Sequence, residues 1–380
     1  MPELVFMNDR AESMHGRRLL LLSVGYGQGH HSAAAAIAEQ YGAEGWNCRT
    51  VDICADAHPA AFRLSQSFYH FCVRKAPWLW GITYSLTDTA NWARMVRSVY
   101  FYSLLDYLKR LLSGWNPALI ICTYPLFAYM LDELRRRGTV IPPYALVVTD
   151  AREISRPWMR SNSSLVMLPD AGSASMVMDR YALDSEIVKV TGFPVRPEFK
   201  PASLRRAPDE GNLHILYGAY RQTQGVINDI AAMLSAFPGL HLVVLAGARS
   251  RYLQHVFAEE CASGRLVIMA ATNQMHLLLQ KSHFYIGKAG AATMFECYSS
   301  EVPVLINYTL PGQEQGNLEL LLEDGAGYHV ESTAHLVATL NKLLQNEASG
   351  WKLLCSSMKT ARRSGGAKCV VETIRSKFGI

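Results

Sequence analysis

Gly287-Lys288-Ala289-Gly290-Ala291-Ala292-Thr293-Met294-Phe295-Glu296 follows the short apolar run Phe284 to Ile286. A buried strand, a turn of small residues and a helix that opens on alanines form one unit of a doubly wound α/β domain. The first N–H groups of such a helix have no intrahelical partner and carry the positive end of its dipole, which makes the turn a seat for phosphate. Thr293 and Glu296 are three apart and share a helix face, so a carboxylate stands within reach of vicinal ribose hydroxyls beside that phosphate. Downstream, Pro311-Gly312-Gln313-Glu314-Gln315-Gly316-Asn317 gathers amides and carboxylates on a glycine-bearing loop, the chemistry that forks hydrogen bonds onto sugar hydroxyls. The two stretches together read as a site for a nucleotide-linked sugar.

Working outward, Leu213 to Tyr217, Leu240 to Ala246, Arg265 to Met269 and Val304 to Asn307 are further short strands separated by helical stretches. The same grammar occupies the first half: Arg17 to Val24 and Arg49 to Ile53 read as strands, and Ala118 to Cys122 and Tyr144 to Thr149 are continuously apolar, as buried parallel strands are. Val195 to Pro201 is linker-like. The expected fold is therefore α/β, with two doubly wound, Rossmann-like domains at 1–198 and 213–380 joined by a linker at 199–212. The last helix is a candidate to pack back on the first domain. A chain of 380 residues can bury two such cores. Ligands of these sheets bind beyond the carboxyl ends of the strands, so a cleft between the domains is the expected site.

The first strand leads into Gly25-Tyr26-Gly27-Gln28-Gly29-His30-His31-Ser32 and an alanine-rich helix. As a dinucleotide fingerprint the spacing is G-x-G-x-G rather than G-x-G-x-x-G, although Asp52 stands about where a ribose-binding acid would. The competing reading uses His30. At a helix amino end the dipole disfavours the imidazolium, and a neutral imidazole can accept a proton. His31 is expected to be structural.

Composition excludes several classes. The net charge of +5 is diffuse, with no compact basic run of the kind a nucleic-acid groove requires, and the surplus calls for a local explanation. Eight cysteines show no C-x-x-C spacing, so neither a zinc site nor a disulfide framework is expected, and reduced thiols fit a cytoplasmic protein. The polar, acid-interrupted amino terminus is unlike a signal peptide, and no apolar run reaches the length of a membrane span.

Taken in order along residues 19 to 330, the chain resembles the glycosyltransferases that put hexose on diacylglycerol, the monogalactosyldiacylglycerol synthases and processive diacylglycerol glucosyltransferases. More distantly it resembles the transferase that adds N-acetylglucosamine to the peptidoglycan lipid precursor. The motifs that carry this are Gly27-Gln28-Gly29-His30 with Ala33 to Ile37, Pro77 to Tyr84, Thr149-Asp150 with Trp158, Thr191-Gly192-Phe193-Pro194-Val195, and the Gly287 to Asn317 region continued by Glu323 to Gly327. The resemblance implies a GT-B fold and an inverting, metal-independent transfer from a UDP-sugar, with no cofactor. It places Glu296 on the uridine ribose, Gln313 and Glu314 on the donor hexose, and His30, with Asp150 as rival base, at the reacting centre. Gly218, Arg221, Gly247, Lys288, Gly290 and Thr293 complete the candidate donor set, and Gly27, Gly29 and Trp158 the acceptor side. The sequence contains no D-x-D triplet, the carboxylate pair with which metal-dependent sugar transferases hold a divalent ion.

Some positions depart from the family pattern. Gly218-Ala219-Tyr220-Arg221-Gln222-Thr223-Gln224-Gly225 replaces a glycine-rich turn for the diphosphate, with Arg221 a candidate to supply charge where backbone donors are lost. Ser155 stands where relatives carry a His before the Trp, and Tyr124-Pro125 where they often have His-Pro. Asn317, just before Leu318, is expected to be an ordinary helix cap.

Between Phe62 and Arg110, Arg63, Arg74, Lys75, Arg94, Arg97, Lys109 and Arg110 outnumber Asp88 and Asp106, and aromatic residues are dense. Arg74, Lys75, Arg94 and Arg97 with Trp78 and Trp80 form a candidate face for an anionic membrane surface. The expectation is a peripheral enzyme on the cytoplasmic side of a membrane, moving hexose from a UDP-hexose to a diacylglycerol-like acceptor. Its rivals are a sugar-nucleotide epimerase or hydrolase on the same fold and a non-catalytic membrane-binding module.

Overall fold

The computed structural model describes residues 17–76, 78–79, 99–203, 205–209, 211–312, 314–361, 363 and 365–380, with backbone alone for Gln28 and 73–75. The expectations for Trp80, Arg94, Arg97 and Gln313, and for the side chains of Arg74 and Lys75, lie outside these residues. The chain divides into two compact units, 17–70 with 99–196 and 365–380, and 71–79 with 197–363, counting described residues.

The first unit runs β1 (Arg18–Leu22), α1 (Gln28–Ala43), β2 (Asn47–Val51), α2 (Ile53–Ala57), α3 (Pro59–Lys75, which crosses into the second unit at its end), α4 (Val99–Trp115), β3 (Leu119–Cys122), α5 (Pro125–Arg136), β4 (Tyr144–Val147), β5 (Val166–Leu168), α6 (Ala171–Tyr181) and β6 (Val188–Val190). All six strands are parallel in the order β2-β1-β3-β4-β5-β6. The run Leu19-Leu20-Leu21-Leu22 is apolar throughout because both faces of β1 are covered. Leu20 and Leu22 pack with Leu104, Leu105 and Leu108 of α4 and Phe127 of α5, whereas Leu19 and Leu21 pack with Ala34 and Ile37 of α1. Each such leucine contributes about 1.5–3 kcal/mol by leaving water.

A helix at Gly366–Phe378 completes the second face, with Val370, Val371 and Ile374 in the same cluster as Leu19 and Leu21. It comes close enough to the 192–193 backbone that a Cβ on Gly366 would lie 2.2 Å from the Phe193 carbonyl oxygen. Arg375 pairs with Glu44 at the end of α1 at 2.5 Å.

The second unit runs β7 (Leu213–Gly218), α7 (Thr223–Ala236), β8 (Leu240–Leu245), α8 (Ser250–Val256), α9 (Ala258–Ala262), β9 (Leu266–Met269), α10 (Met275–Lys281), β10 (Phe284–Lys288), α11 (Ala291–Ser300), β11 (Val304–Tyr308), α12 (Gln315–Glu323), β12 (Gly327–His329) and α13 (Thr333–Ala361). Its sheet is also parallel, ordered β12-β11-β10-β7-β8-β9. Helix α13 is broken at 345–348, where Asn346, Glu347 and Ala348 take left-handed backbone angles. All eight cysteines are free thiols. Among the described residues no helix is long and apolar enough to cross a membrane and no cluster of metal-ligating side chains occurs.

Candidate active site

In the first unit the loop after β1 delivers His30 to the first turn of α1. Gly27 caps that helix with an extended backbone and no side chain closes its end, so the N–H groups around His30 keep their partial positive charge. His30 Nδ1 lies 2.7 Å from Thr149 Oγ1, just beyond β4. Its ring meets Tyr124 edge-on at 5.2 Å and Trp158 at 6.1 Å. Burial pushes its pKa down to about 4; the Thr123 backbone opposes this, and His31 adds a smaller push downward. The imidazole is therefore neutral near pH 7. In the tautomer whose Nδ1–H donates to Thr149, Nε2 holds the lone pair that a general base requires.

Around it the loop is braced from below. Asp52 caps α2 by accepting from Ala55 N at 3.0 Å and also accepts the Gly25 N–H at 2.8 Å. Gln66 donates to the Gly25 carbonyl at 2.6 Å, and His31 Nδ1 lies 2.9 Å from Ser23 Oγ. Asp150 is buried, and its Oδ2 accepts the Trp158 indole N–H at 2.7 Å.

In the second unit, β10 ends at Lys288 and Gly290 caps α11 with extended backbone and no side-chain bond. The seat for an anion is thus open. Lys288 stands in front of it: a Cβ on Gly290 would lie 2.9 Å from Lys288 Nζ. A cation at the positive end of a helix is unfavourable by itself, and Glu314 offsets it by pairing with Lys288 through Oε1 while Oε2 accepts Leu310 N at 3.1 Å. Glu296 on α11 is buried at 8% exposure, and Thr293 is half-buried. Tyr285 fills the floor: its hydroxyl is 2.9 Å from where a Gly218 Cβ would be and 2.4 Å from that of Gly287, so both positions need glycine for space.

The model of the monogalactosyldiacylglycerol (MGDG) synthase family matches residues 30–195. The processive diacylglycerol beta-glucosyltransferase of Bacillus subtilis (strain 168) is 25% identical over 342 residues, covering 87% of this chain and 88% of its own length. That of Bacillus mycoides (strain KBAB4) is 24% identical over 379 residues, covering 94% and 93%. Along most of its length the chain is similar to diacylglycerol glycosyltransferases. Among solved structures, MurG of Acinetobacter baumannii superposes with a TM-score of 0.57 at 15% identity, covering 95% of this chain and 99% of that one. Medicago truncatula UGT71G1 complexed with UDP-glucose gives 0.62 at 12% identity, covering 97% and 99%. A Neisseria meningitidis UDP-GlcNAc 2-epimerase gives 0.60 at 12%, covering 95% and 100%. These likenesses identify the fold as GT-B, and the similarity to diacylglycerol glucosyltransferases over most of the chain supports a hexosyltransferase.

Several residues stand differently from their sequence-based reading. Arg221 does not hold its charge out for a diphosphate. It donates to Asp229 at 2.9 and 3.1 Å, because a fully buried carboxylate beneath the loop needs a counter-charge. Trp158, assigned to the acceptor side, is 2% exposed and its indole N–H donates to Asp150. Asn317 is no helix cap: it lies inside α12 and donates to the Ala289 carbonyl at 2.9 Å, tying the sugar-side loop to the anion seat. Asp52, the acid of the dinucleotide alternative, is engaged as a cap and loop brace, which leaves that alternative without its ribose partner.

Gly247, with φ of +55°, opens a single 3-10 turn after β8, and Arg249 in that turn donates to the carbonyls of Ala219 and Arg221 (2.8 Å to the latter). A Cβ on Gly29 would meet nothing within 4 Å, so packing does not demand that glycine. Asp229, Arg249 and Tyr285 are the positions sequence reasoning missed, and Tyr124 it noted as a departure without a place against His30. Only Asp229 had a signal, an acid amid the apolar positions of α7.

Proposed function

We propose that the protein moves a hexose from a UDP-sugar to the hydroxyl of a lipid, of the diacylglycerol type, with inversion and without a metal, at the cytoplasmic face of a membrane. The observation that carries this is His30: a neutral imidazole held by Thr149 beyond the carboxyl ends of the first sheet. The acceptor oxygen attacks the anomeric carbon as its proton passes to His30 Nε2. The bond from that carbon to the diphosphate breaks, and UDP leaves with the electron pair. The uncapped start of α11 and Lys288 supply positive potential for the diphosphate, and Glu296 is assigned to the ribose hydroxyls. Release of Glu314 from Lys288 by the diphosphate makes its carboxylate available to the hexose. The relatives' names supply the lipid acceptor. Leu64, Phe68 and Phe71, spaced along α3 and 45–74% exposed, and Trp78 at 65%, support attachment to a membrane surface.

Incubating the protein with lipid extract and a panel of UDP-sugars in chelator, and taking product masses, tests the reading. A glycolipid one hexose heavier than its acceptor is expected. Conversion of the UDP-sugar alone, by epimerisation or hydrolysis with no lipid product, would replace the transferase with the epimerase-type reading, and an absolute need for a divalent ion would remove the metal-free mechanism.

A further inference from the structure

The surplus positive charge of the chain has a local destination within the second unit, at the opposite end of its sheet from the donor seat. A cavity of about 670 Å³ opens at the amino ends of β7 and β10, lined by Lys200, Arg205, Arg206, Lys281, Asn212 and Ser203 together with His214 and His283. Its construction is specific. Arg205 is fixed by donating to the carbonyls of Glu301 (2.7 Å), Ser300 (3.1 Å) and Leu279 (3.2 Å), the last turns of α10 and α11, so its charge meets backbone dipoles and no carboxylate bond. His283 Nδ1 lies 3.0 Å from the backbone N–H of His214, which can only donate. The ring proton is therefore on Nε2 and goes to the Arg206 carbonyl at 3.0 Å, pinning the linker that carries Arg205 and Arg206.

Lys200, Arg206 and Lys281 are exposed and have no ion-pair partner among the described residues. Among the described residues no lining residue is acidic; Asp209 and Glu301 act on His283 and Arg205 only from outside the lining. Four cations converging on one cavity repel one another, and the arrangement is relieved by an anion. Asn212 and Ser203 add neutral donors of the kind that fix an oxyanion's orientation. The volume exceeds that of inorganic phosphate, and among the described residues no aromatic ring apart from the imidazoles lines it, which disfavours a stacked nucleobase.

We propose that this cavity is a second anion site, distinct from the donor seat, that takes a phosphate monoester group borne by a small non-aromatic molecule or a lipid headgroup. The test is titration of the full-length protein, with UDP present throughout, by inorganic phosphate, by glycerol 3-phosphate, and by phosphatidylcholine vesicles with or without phosphatidic acid. The comparison is with Arg206→Gln/Lys281→Gln, whose side chains are exposed and whose loss leaves the pinned residues in place, and with Lys200→Glu. Expected is binding of a phosphate probe that weakens with salt and falls on the order of tenfold or more in the double variant, as loss of charge-assisted bonds predicts. Uptake of the soluble ester identifies a free source, and response to phosphatidic acid vesicles alone identifies the headgroup. If no phosphate probe binds, or if the double variant and Lys200→Glu both bind as wild type does, the site does not exist.

Discussion

Replacing Asp229 with alanine is the sharpest perturbation of the second unit. The carboxylate is fully buried and accepts from Thr333 Oγ1 (2.6 Å), Tyr217 Oη (2.7 Å), Arg221 (2.9 and 3.1 Å) and Asn307 Nδ2 (3.3 Å), so one side chain joins β7, the following loop, β11 and the start of α13. Breaking a buried ion pair by removing one partner costs about 3–5 kcal/mol. Arg221 is 23% exposed and regains some hydration, which favours the lower half of that range. Tyr217 and Thr333 lose an ionised acceptor, at about 1.5–3 kcal/mol each if they acted alone, but bonds to one atom pair do not add. The expected loss is about 3–4 kcal/mol, a large share of the ~5–15 kcal/mol that holds a domain folded. Urea unfolding followed by tryptophan fluorescence measures it, alongside Arg221→Met and the double variant. A coupling of about 1–3 kcal/mol between the two sites is expected. A cost below about 1 kcal/mol for Asp229→Ala, or strict additivity with Arg221→Met, would refute the account of the network.

Other outcomes follow from the same geometry. His30→Ala is expected to keep UDP affinity and lose about 10²- to 10⁴-fold in turnover; collapse in Asp150→Asn with normal turnover in His30→Ala would reassign the base. Because the His30 pKa is lowered from 6.5 to about 4, the neutral base persists as pH falls through 6, and the acidic limb of kcat/KM should lie nearer 4 than 6.5. His283, lowered from 6.5 to about 4 chiefly by burial, binds its proton more readily when unfolded, so stability is full above 6.5 and declines as pH falls toward 4, by on the order of 3 kcal/mol; a flat stability profile across that window would contradict the burial. Glu296→Ala is expected to weaken UDP itself, whereas Glu314→Gln should spare UDP and impair use of the UDP-sugar, as separate titrations would read. Gly366→Val drives a side chain into the Phe193 carbonyl and should lower thermal stability by several degrees, with Lys368→Ala on the exposed side as the silent control.

The α/β architecture was legible because parallel strands covered on both faces must be apolar at every position, and the Leu19 to Leu22 run states this openly. The strand, turn of small residues and uncapped helix start around Gly290 were legible for a related reason, since each leaves a local trace in the sequence. The supports of the site left none. Tyr285 reads as one more strand aromatic until its hydroxyl is seen between Gly218 and Gly287, and Arg221 reads as a free cation until Asp229 is found beneath it. Those facts depend on pairings between residues distant in the chain, which periodicity and capping rules do not encode. Asn317 misled for the opposite reason, since its type suits a cap while its position, inside α12, sends the amide across to Ala289.

The helix at Gly366–Phe378 gives the first unit a dependence on the order of synthesis. Leu19, Leu21, Ala34 and Ile37 emerge from the ribosome early, yet Val370, Val371 and Ile374, which complete their cover, emerge only after the whole of 197–364. At typical rates of about 5–20 residues per second that interval is on the order of ten seconds or more, during which an apolar strip of the nascent unit stays open to solvent. The second unit has no such wait, because all of its strands are contiguous in the chain. A nascent chain stalled before residue 365 should therefore hold a finished second unit and an unfinished first one, and it is the latter that a chaperone would find.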